Sequence, residues 1–465
     1  MTATAPARKE FDRSIVEGSI PRAVWKLAWP TVLANIFGGI QGVVDHALVG
    51  HFVGFTGNAA IGVSWQIFLV VMVFVSSLFT GMGVLVSRFA GAGDRVKADR
   101  AVYQAFLTST VMSFGILAPL GYLLAPTLLR FVNATPAVQA EALPFLRIMF
   151  VFSFGMMTFF MLGGALRAAG DAKTPLRWGV ALTLLNIAFN LVFILGLGPI
   201  PAFGTAGAAM GTTLAGGILA ILAVGRLRSG RWVIGFPRGM WRPEWGTIRE
   251  LFRFGLPAGL QGVAMNIGGV LLLRFIGSLG QSAEAQAAFA IGYTELFSMI
   301  TWTSVGLMGA TGAVVGQNLG AGQPDRAVHA VRQSARLGLG MATVVAILFL
   351  TIPRQLLNVF GMTDPAVVGI AVQLLRFLSA SAFFITVALV YTGGLQGSGD
   401  TKSPFYISLV SQIVVPLGIC AVLQAAGNLT PTGIWTAILL GHITRCTLSV
   451  ARFRQGLWRS IKADI

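Results

Sequence analysis

Charge is scarce in this sequence, and so are the residues that build metal or redox sites. Only 11% of its 465 residues are charged, whereas a soluble domain carries about 25%. Its two cysteines, Cys420 and Cys446, lack a CxxC spacing, and its four histidines show no metal-ligand spacing. Neither a disulfide framework nor a zinc site is therefore indicated. We expect both cysteines to fill apolar positions in late helices.

Energising and catalytic motifs are missing as well. The sequence contains no GxxxxGK[ST] despite its 58 glycines, and no complete GxGxxG, HExxH or GxSxG. ATP use through a P-loop and the matching hydrolase or protease chemistry are unsupported. We expect that the chain is not an enzyme and needs no cofactor.

Apolar residues are what the sequence has in abundance, at 55% of the chain. A helix needs about 20 apolar residues to cross the hydrocarbon core of a bilayer. Twelve runs of this kind predict an all-α integral membrane protein. The predicted spans are residues 24–49, 58–85, 102–125, 143–165, 176–197, 204–224, 251–276, 286–314, 329–352, 367–393, 404–424 and 430–451.

The chain is a tandem duplication. The stretch GALRAAGDAKTP at residues 164–175 recurs as GGLQGSGDTKSP at residues 393–404, an offset of 229. The same offset relates Gly91-Ala92-Gly93 to Gly320-Ala321-Gly322. Each half holds six predicted spans, an even number, so the two repeats are parallel and related by an axis along the membrane normal. Such a pair encloses a central cavity, which is typical of transporters.

The formal charge of +17 is explained by topology. With alternating sides, 28 of the 33 Lys and Arg residues are assigned to the cytoplasmic side, including the cluster at the end of span 12. The positive-inside rule then predicts that both termini are cytoplasmic, and nucleic-acid binding is not needed to explain the charge. The five exceptions are Arg130, Arg147, Arg274, Arg354 and Arg376.

These assignments divide the chain into five segments. We predict a cytoplasmic tail (1–20), an N-lobe of spans 1–6 (21–225), a basic cytoplasmic linker (226–250), a C-lobe of spans 7–12 (251–452) and a second cytoplasmic tail (453–465). The N-terminal tail has no signal-peptide core. Trp232, Trp241 and Trp245 predict that the linker lies among the lipid headgroups.

Two carboxyl groups inside predicted spans are the main functional candidates. A carboxyl in hydrocarbon is costly unless it is protonated, paired or hydrated, so Asp45 in span 1 and Glu295 in span 8 are expected to couple transport to an ion. Alternatively, Asp45 sits solvated at the outer end of span 1 and pairs with His46 or an external Arg. For Glu295, the alternative is a protonated carboxyl bonded between helices.

Uncharged polar residues and prolines complete the candidates. Asn186 and Asn190 lie four residues apart on one face of span 5, and with Thr212 in span 6 they offer oxygens to a cation or orient Asp45. Polar bonding between helices explains them equally well. Pro30 and its counterpart Pro257 are predicted to bend spans 1 and 7.

Together these features resemble the multidrug and toxic compound extrusion (MATE) family. The resemblance is carried by the paired six-span halves, Pro30 followed by Asp45, the segment Val315-Gly316-Gln317-Asn318-Leu319-Gly320-Ala321-Gly322, and the doubled Gly-Asp-Lys-Pro loop. It covers essentially the whole chain and is closer to the DinF branch than to the NorM branch.

The resemblance implies two six-helix lobes around a V-shaped cavity, in a multi-pass protein of the bacterial inner membrane. It also implies export of amphipathic or cationic small molecules in exchange for protons or sodium. The DinF-type site maps onto Asp45, Asn186, Asn190 and Thr212, which would also be the position of any Na⁺. Position 190 is Asn where the family often has Asp. We expect a monomer in contact with membrane lipids.

Two other functions remain open at this point. A lipid-linked precursor flippase would need a basic cavity, which Arg147 and Arg376 would provide if they turned inward instead of reaching the membrane interface. A membrane-embedded enzyme would need a clustered nucleophile, base or metal set, which the sequence does not show.

Overall fold

The computed structural model describes residues 9–132, 134–237 and 242–463, and it confirms the all-helical membrane fold. Eleven helices in these ranges are long and apolar enough to cross a membrane, and a pair of helices bent by 55° supplies the twelfth span. The spans are α1 (Ile20–Phe52), α2 (Phe55–Ala92), α3 (Arg95–Phe131), α4 (Pro136–Val151 with Ser153–Ala168), α5 (Lys173–Leu195), α6 (Gly204–Arg228), α7 (Trp245–Gly277), α8 (Ser282–Gly320), α9 (Pro324–Thr351), α10 (Pro365–Ser398), α11 (Lys402–Ala425) and α12 (Pro431–Arg454).

Most of these helices extend beyond the predicted apolar runs. Helix α2 has 38 residues and continues to Ala92, beyond the predicted span 58–85. The turn after it is short because the Asp94 side chain accepts a bond from the Lys97 amide at 3.0 Å and starts α3 at once. Charged helix ends can project past the hydrocarbon region, which the apolar pattern alone does not record.

Three spans contain a π-helical segment. These are Met112–Leu117 in α3, Ala290–Leu296 in α8 and Val410–Val414 in α11. A π segment inserts an extra residue into a turn and is frequent at functional sites. At the repeat offset of 229, the counterparts of the segments in α8 and α11 fall in α2 and α5, where the helix is regular. The two halves therefore differ locally in spite of the duplication.

The repeated Gly-Asp loop is a structural turn in both halves, as its composition predicts. Gly170 and Gly399 each adopt φ +96°, a left-handed conformation that glycine tolerates without strain. In the first copy, the Asp171 carboxylate accepts bonds from the Thr174 amide and hydroxyl and from Lys9 Nζ at 3.0 Å. Burial opposes ionisation, but these bonds hold the pKa of Asp171 below its usual value.

The second copy of the loop is tied in the same way. Asp400 accepts bonds from the Ser403 amide and hydroxyl, and Arg452 Nε lies 2.9 Å from its Oδ2. The basic partner comes from the N-terminal segment in the first half and from the end of α12 in the second. Each loop is thus capped and charge-paired, which explains its recurrence without any catalytic role.

By packing, the chain forms two compact units. Unit 1 comprises Trp29–Gly259 together with the described residues up to Arg13 and Ala463, and unit 2 comprises Ser14–Ala28 and Leu260–Lys462. Helices α1 and α7 are therefore divided between the units, at points close to Pro30 and Pro257. These divisions differ from the lobe boundaries predicted by counting spans, which remain a prediction.

The N-terminal segment is more than a polar tail. Ser14–Glu17 forms a short helix in which Ile15 and Val16 are buried. Arg326 Nη2 donates to the Gly18 carbonyl at 2.7 Å, and its Nε donates to Asn318 Oδ1 at 3.1 Å. Asn318 belongs to the segment after span 8 that carries the family resemblance, so its structural role is to anchor the chain before α1. Residues 1–8 lie outside the described ranges.

The linker between the halves packs on protein over part of its length. Ile234 is fully buried, the Gly235 amide donates to Asp99 at 2.7 Å, and Trp232 packs edge-on against Trp178. The ring of Trp232 thus has an aromatic partner on α5, and its predicted position among the lipid headgroups stays a prediction. Trp245 is exposed, as predicted, while Arg238 and Trp241 lie outside the described residues.

Within unit 1, α2 and α7 approach closely through glycine. A Cβ atom on Gly81 would collide with the carbonyl oxygen of Leu251, and one on Gly255 would collide with that of Ser77. These neighbours are backbone atoms, so no side-chain rotation can relieve the overlap. Small residues permit the same close contact of helices throughout membrane proteins.

We expect Gly81→Ala to lower the melting temperature of the purified protein, because the α2–α7 contact must open, at a cost of about 1–3 kcal/mol. Gly83→Ala is the matched control, since a Cβ at Gly83 meets no atom within 4 Å. Thermal unfolding followed by intrinsic fluorescence in detergent measures both. Equal melting temperatures for the two variants would contradict the close approach.

Candidate functional site

The site in unit 1 is built around Asp45. Its position in α1 leaves the carboxyl only 3% exposed, and Asn190 Nδ2 donates to its Oδ1 at 2.6 Å. The aliphatic residues of the surrounding spans offer such a carboxyl no counter-charge, so its bonding partners decide which protonation state is stable. The hydrogen bonds of Asp45 therefore have a large effect on whether its carboxyl is protonated.

A chain of hydrogen bonds extends from Asp45 across three helices. Asn190 Nδ2 also donates to Asn186 Oδ1 at 3.3 Å, and Asn186 Nδ2 donates to Thr212 Oγ1 at 2.8 Å. The Thr212 hydroxyl completes the chain by donating to the Ala208 carbonyl, one turn back in α6. The two asparagines are fully buried. The structure therefore brings together all four residues of the predicted N-lobe site, from α1, α5 and α6.

One acceptor in this chain is left over. Asn190 uses both amide protons, yet its Oδ1 is buried and has no hydrogen-bond partner. A buried unpaired acceptor costs about 1–3 kcal/mol. The oxygen lies against α6 at Gly211, where a Cβ would overlap it. Glycine at this position is what allows the Asn190 amide to reach Asp45.

The alternative arrangement for Asp45 does not match its surroundings. Asp45 is enclosed rather than solvated, and the ring of His46 is directed elsewhere, with Nδ1 2.6 Å from Asn58 Oδ1. The carboxyl therefore belongs to the polar chain of α5 and α6 and not to an outer ion pair with its neighbour.

Glu295, the second predicted coupling carboxyl, lies in the π-helical segment of α8, and its side chain is exposed. Asp45 and Glu295 are consequently in opposite environments. The role of Glu295 in coupling stays a prediction.

Comparison with known proteins supplies the family. The family model described as MatE matches residues 30–192 and again residues 257–422, in agreement with the duplication. The chain belongs to the MatE family. Members and structural neighbours are transporters, so the chain is a membrane transporter and not an enzyme.

Curated MatE relatives cover nearly the whole chain. A probable multidrug resistance protein NorM from Deinococcus radiodurans is 30% identical over 93% of this chain and 94% of its own. Another from Thermotoga maritima is 27% identical over 94% and 93%, and the multidrug resistance protein MdtK of Pectobacterium atrosepticum is 27% identical over 93% and 95%. These names do not test the DinF branch, which stays a prediction.

Solved MatE structures share the fold. An outward-facing multidrug resistance MATE transporter of the MOP superfamily aligns with a TM-score of 0.88, at 19% identity, over 97% of this chain and 100% of the other. Straight and bent conformations of a MATE protein align with TM-scores of 0.88 and 0.87. The fold of twelve spans is thus that of the MATE transporters.

The two outer arginines of this MatE chain have separate surroundings. Arg147 lies over the ring of Tyr122, 4.2 Å from its centroid, and its Nε donates to the Tyr122 carbonyl at 3.3 Å. Arg376 borders a pocket of about 770 Å³ in unit 2 together with Arg354. Both Arg354 and Arg376 are exposed. Arg147 is therefore held by an aromatic neighbour, as is common near the membrane interface.

A polar cluster in the second half was not predicted from the sequence. Arg445, which the charge count assigned to the cytoplasmic side, is buried inside α12, and His442 one turn earlier is buried with it. The assignment of Arg445 to the cytoplasm is wrong because α12 continues to Arg454, two turns further. The signal was available, since both residues lie inside the predicted span 430–451.

Gly211→Ala tests the geometry of the Asp45 site. The added methyl would displace the Asn190 amide, so we expect a lower melting temperature, by a cost of about 1–3 kcal/mol, and slower gradient-driven efflux of ethidium from proteoliposomes. Gly217→Ala in the same helix is the control, because its Cβ would meet open space. If both variants moved ethidium at the wild-type rate, the Asn190–Asp45 contact would not matter for transport.

Proposed function

We propose that the chain is a multidrug efflux antiporter of the bacterial plasma membrane, which exports amphipathic or cationic small molecules in exchange for protons. The observation that carries the proposal is the buried Asp45 carboxyl bonded to Asn190. The multidrug resistance names of the curated relatives support the substrate class. The distribution of Lys and Arg supports cytoplasmic termini.

Coupling begins with the protonation of Asp45. Ionised Asp45 accepts the bond from Asn190, whereas neutral Asp45 carries an O–H that needs an acceptor. The unpaired Asn190 Oδ1 becomes that acceptor if the amide turns about its last torsion. The same turn withdraws Nδ2 from Asn186, so α1, α5 and α6 exchange one hydrogen-bonding arrangement for another. One proton thereby changes the contacts between three helices.

We expect α1 to bend at Pro30 when the hydrogen bonding of Asp45 changes. Pro30 lies in the interior of α1 and removes one backbone hydrogen bond, which favours bending at that point. Residues of α1 up to Ala28 belong to unit 2, and those from Trp29 onward belong to unit 1, so the division lies next to Pro30. The corresponding division of α7 falls near Pro257. Bending at Pro30 would allow the outer part of α1 to follow Asp45, with Pro257 as the equivalent hinge in α7.

Protonation drives export only if it favours one conformer over the other. The arrangement in which Asn190 donates to Asp45 is favoured by the ionised carboxylate, because a charged acceptor makes the stronger bond, and the turned arrangement needs the O–H of the neutral acid. Each protonation state therefore favours its own arrangement of α1, α5 and α6. That difference in bonding is the free energy available for coupling.

Sodium is the competing ion at the same residues. Asp45 is the single carboxylate of the site, Asn186 Oδ1 and Thr212 Oγ1 already accept hydrogen bonds, and Asn190 Oδ1 is the one unpartnered oxygen. A proton needs only the carboxyl and one acceptor, whereas Na⁺ needs several oxygens at once. The bonding of the site therefore favours the proton.

The flippase alternative receives less support. It requires a basic lining to hold a pyrophosphate, whereas Arg147 lies over the ring of Tyr122, an arrangement common near the membrane interface. Efflux of an organic cation is the better match to a site whose ionisable group is an acid.

The coupling proposal is tested by Asp45→Asn in proteoliposomes loaded with ethidium. With an imposed pH gradient, we expect efflux to fall roughly tenfold or more, because the amide cannot exchange a proton. Glu295→Gln is the matched comparison, since its exposed carboxyl lies outside the hydrogen-bonded chain, and it should retain most of the activity. Wild-type efflux by Asp45→Asn would exclude Asp45 as the coupling residue.

A sodium gradient applied without a pH gradient separates the two ions. Proton coupling predicts no ethidium movement under sodium alone in the wild type. Movement driven only by sodium would instead assign Asp45, Asn186, Asn190 and Thr212 to a Na⁺ site and overturn the proton assignment.

A further inference from the structure

Arg445 is a fully enclosed cation in the second half of the chain. It lies within α12, 1% exposed, and neither its Nε nor its Nη1 has a hydrogen-bond partner. Its remaining polar contact is weak, with Nη2 3.9 Å from the sulfur of Met265 in α7. A guanidinium presents five donors and is not deprotonated in proteins. Arg445 therefore brings an unneutralised charge and free donors into the interior of unit 2.

The acidic residues of unit 2 do not neutralise this charge. Asp400 is bound by Arg452, Asp325 pairs with Arg459, and Asp364 caps the start of α10. Glu17 and Glu295 are exposed, and Glu284 lies in the first turn of α8. Within the described ranges no ion pair reaches Arg445. A buried charge without a partner costs several kcal/mol. A bound ion of opposite charge would offset this cost.

The neighbours of Arg445 are hydrogen-bonding groups that also lack partners. His442, three residues earlier on the same helical face, is 2% exposed, and its Nδ1 is unpartnered while the ring stacks on Phe297. Ser411 Oγ in α11 is buried and unpartnered as well. Gly441 brings α11 and α12 together, since its Cβ would lie 2.6 Å from the Ser411 carbonyl.

Local helix geometry singles out the same region. Ser411 lies in the π segment of α11, and Tyr293 in the π segment of α8 packs against Phe297, the ring that stacks on His442. The regular helices α2 and α5 of the first half show no such segments in their described residues. Two irregular turns therefore adjoin a helix that carries unsatisfied donors, a combination typical of a ligand site.

We propose that Arg445, His442 and Ser411 form a binding site for a small monovalent anionic group, either a halide or a carboxylate. The guanidinium supplies the charge, and its planar donor fork suits a carboxylate as well as a halide. The site uses α7, α11 and α12, the repeat counterparts of the helices α1, α5 and α6 that hold Asp45. This site would bind an anion, whereas the Asp45 site would bind a proton or a cation. The proposal does not depend on which substrate is transported.

The test is anion-dependent stability of the purified full-length protein. Melting temperatures are measured in sodium methanesulfonate, which is neither a halide nor a carboxylate. It is replaced stepwise by chloride or bromide in one series and by formate or acetate in another, at constant ionic strength. A ligand that binds only the folded state raises stability with a saturable dependence on its concentration. We expect such a rise in the wild type, and the series with the lower half-saturation concentration identifies the halide or the carboxylate as the ligand.

Arg445→Met should abolish the saturable rise and, in methanesulfonate alone, should melt at or above the wild-type temperature, because an uncompensated buried charge has been removed. Arg445→Lys keeps the charge without the fork and should need several-fold more anion. The control is Arg336→Met, an exposed arginine of α9, which should respond like the wild type.

Two results would overturn the proposal. One is the same anion dependence in the wild type, Arg445→Met and Arg336→Met, which is a general salt effect. The other is the absence of saturable stabilisation in the wild type, confirmed by equilibrium dialysis that detects no bound radiolabelled chloride or acetate. Binding of about one anion per chain to the wild type in the dialysis experiment supports the site even if Arg445→Met fails to fold.

Discussion

The hydrocarbon core of a bilayer offers no water to a polar group, and the rest of this structure depends on that constraint. Every buried donor, acceptor or charge must be satisfied by the protein or by something that it binds. In unit 1 the constraint is met by a continuous chain from Asp45 to the Ala208 carbonyl, with one acceptor left over. The unpaired Asn190 Oδ1 is the acceptor that the proposed coupling assigns to protonated Asp45, so the one unsatisfied group of the chain is also a functional group.

Much of the fold and part of the site could be predicted from the sequence. Apolar runs predicted the spans because the length of a run follows from the bilayer thickness, and the repeat assigned six spans to each half. Helical spacing placed Asn186 and Asn190 on one face, where orienting Asp45 was one of two interpretations, and the family resemblance favoured it. No periodicity predicts that Gly211 must lack a side chain for Asn190 to reach Asp45, since this is a contact between helices.

Other features were mispredicted, or could not be predicted, for identifiable physical reasons. Arg445 was assigned to the cytoplasm because charge counting treats a cation near the end of a span as solvated, whereas the helix length places it inside. The sequence does not show that Glu295 lies exposed in a π turn. The tryptophans of the linker do not predict that Trp232 packs against Trp178. These features depend on packing between elements that lie far apart in sequence.

The two halves began as copies and now carry buried groups of opposite charge at positions that are not equivalent. At the offset of 229, Asn190 becomes Ile419 and Thr212 becomes Gly441, so the second half has lost the polar chain that holds a carboxyl. Arg445 replaces Gly216, where only a small residue stands in the first half. If each half held a carboxyl in the surroundings of Asp45, both carboxyls would titrate over the same pH range, and a single proton could not select one half. Divergence of charge leaves one half to respond to protons, while the other is free to hold a fixed charge whose partner is not part of the chain.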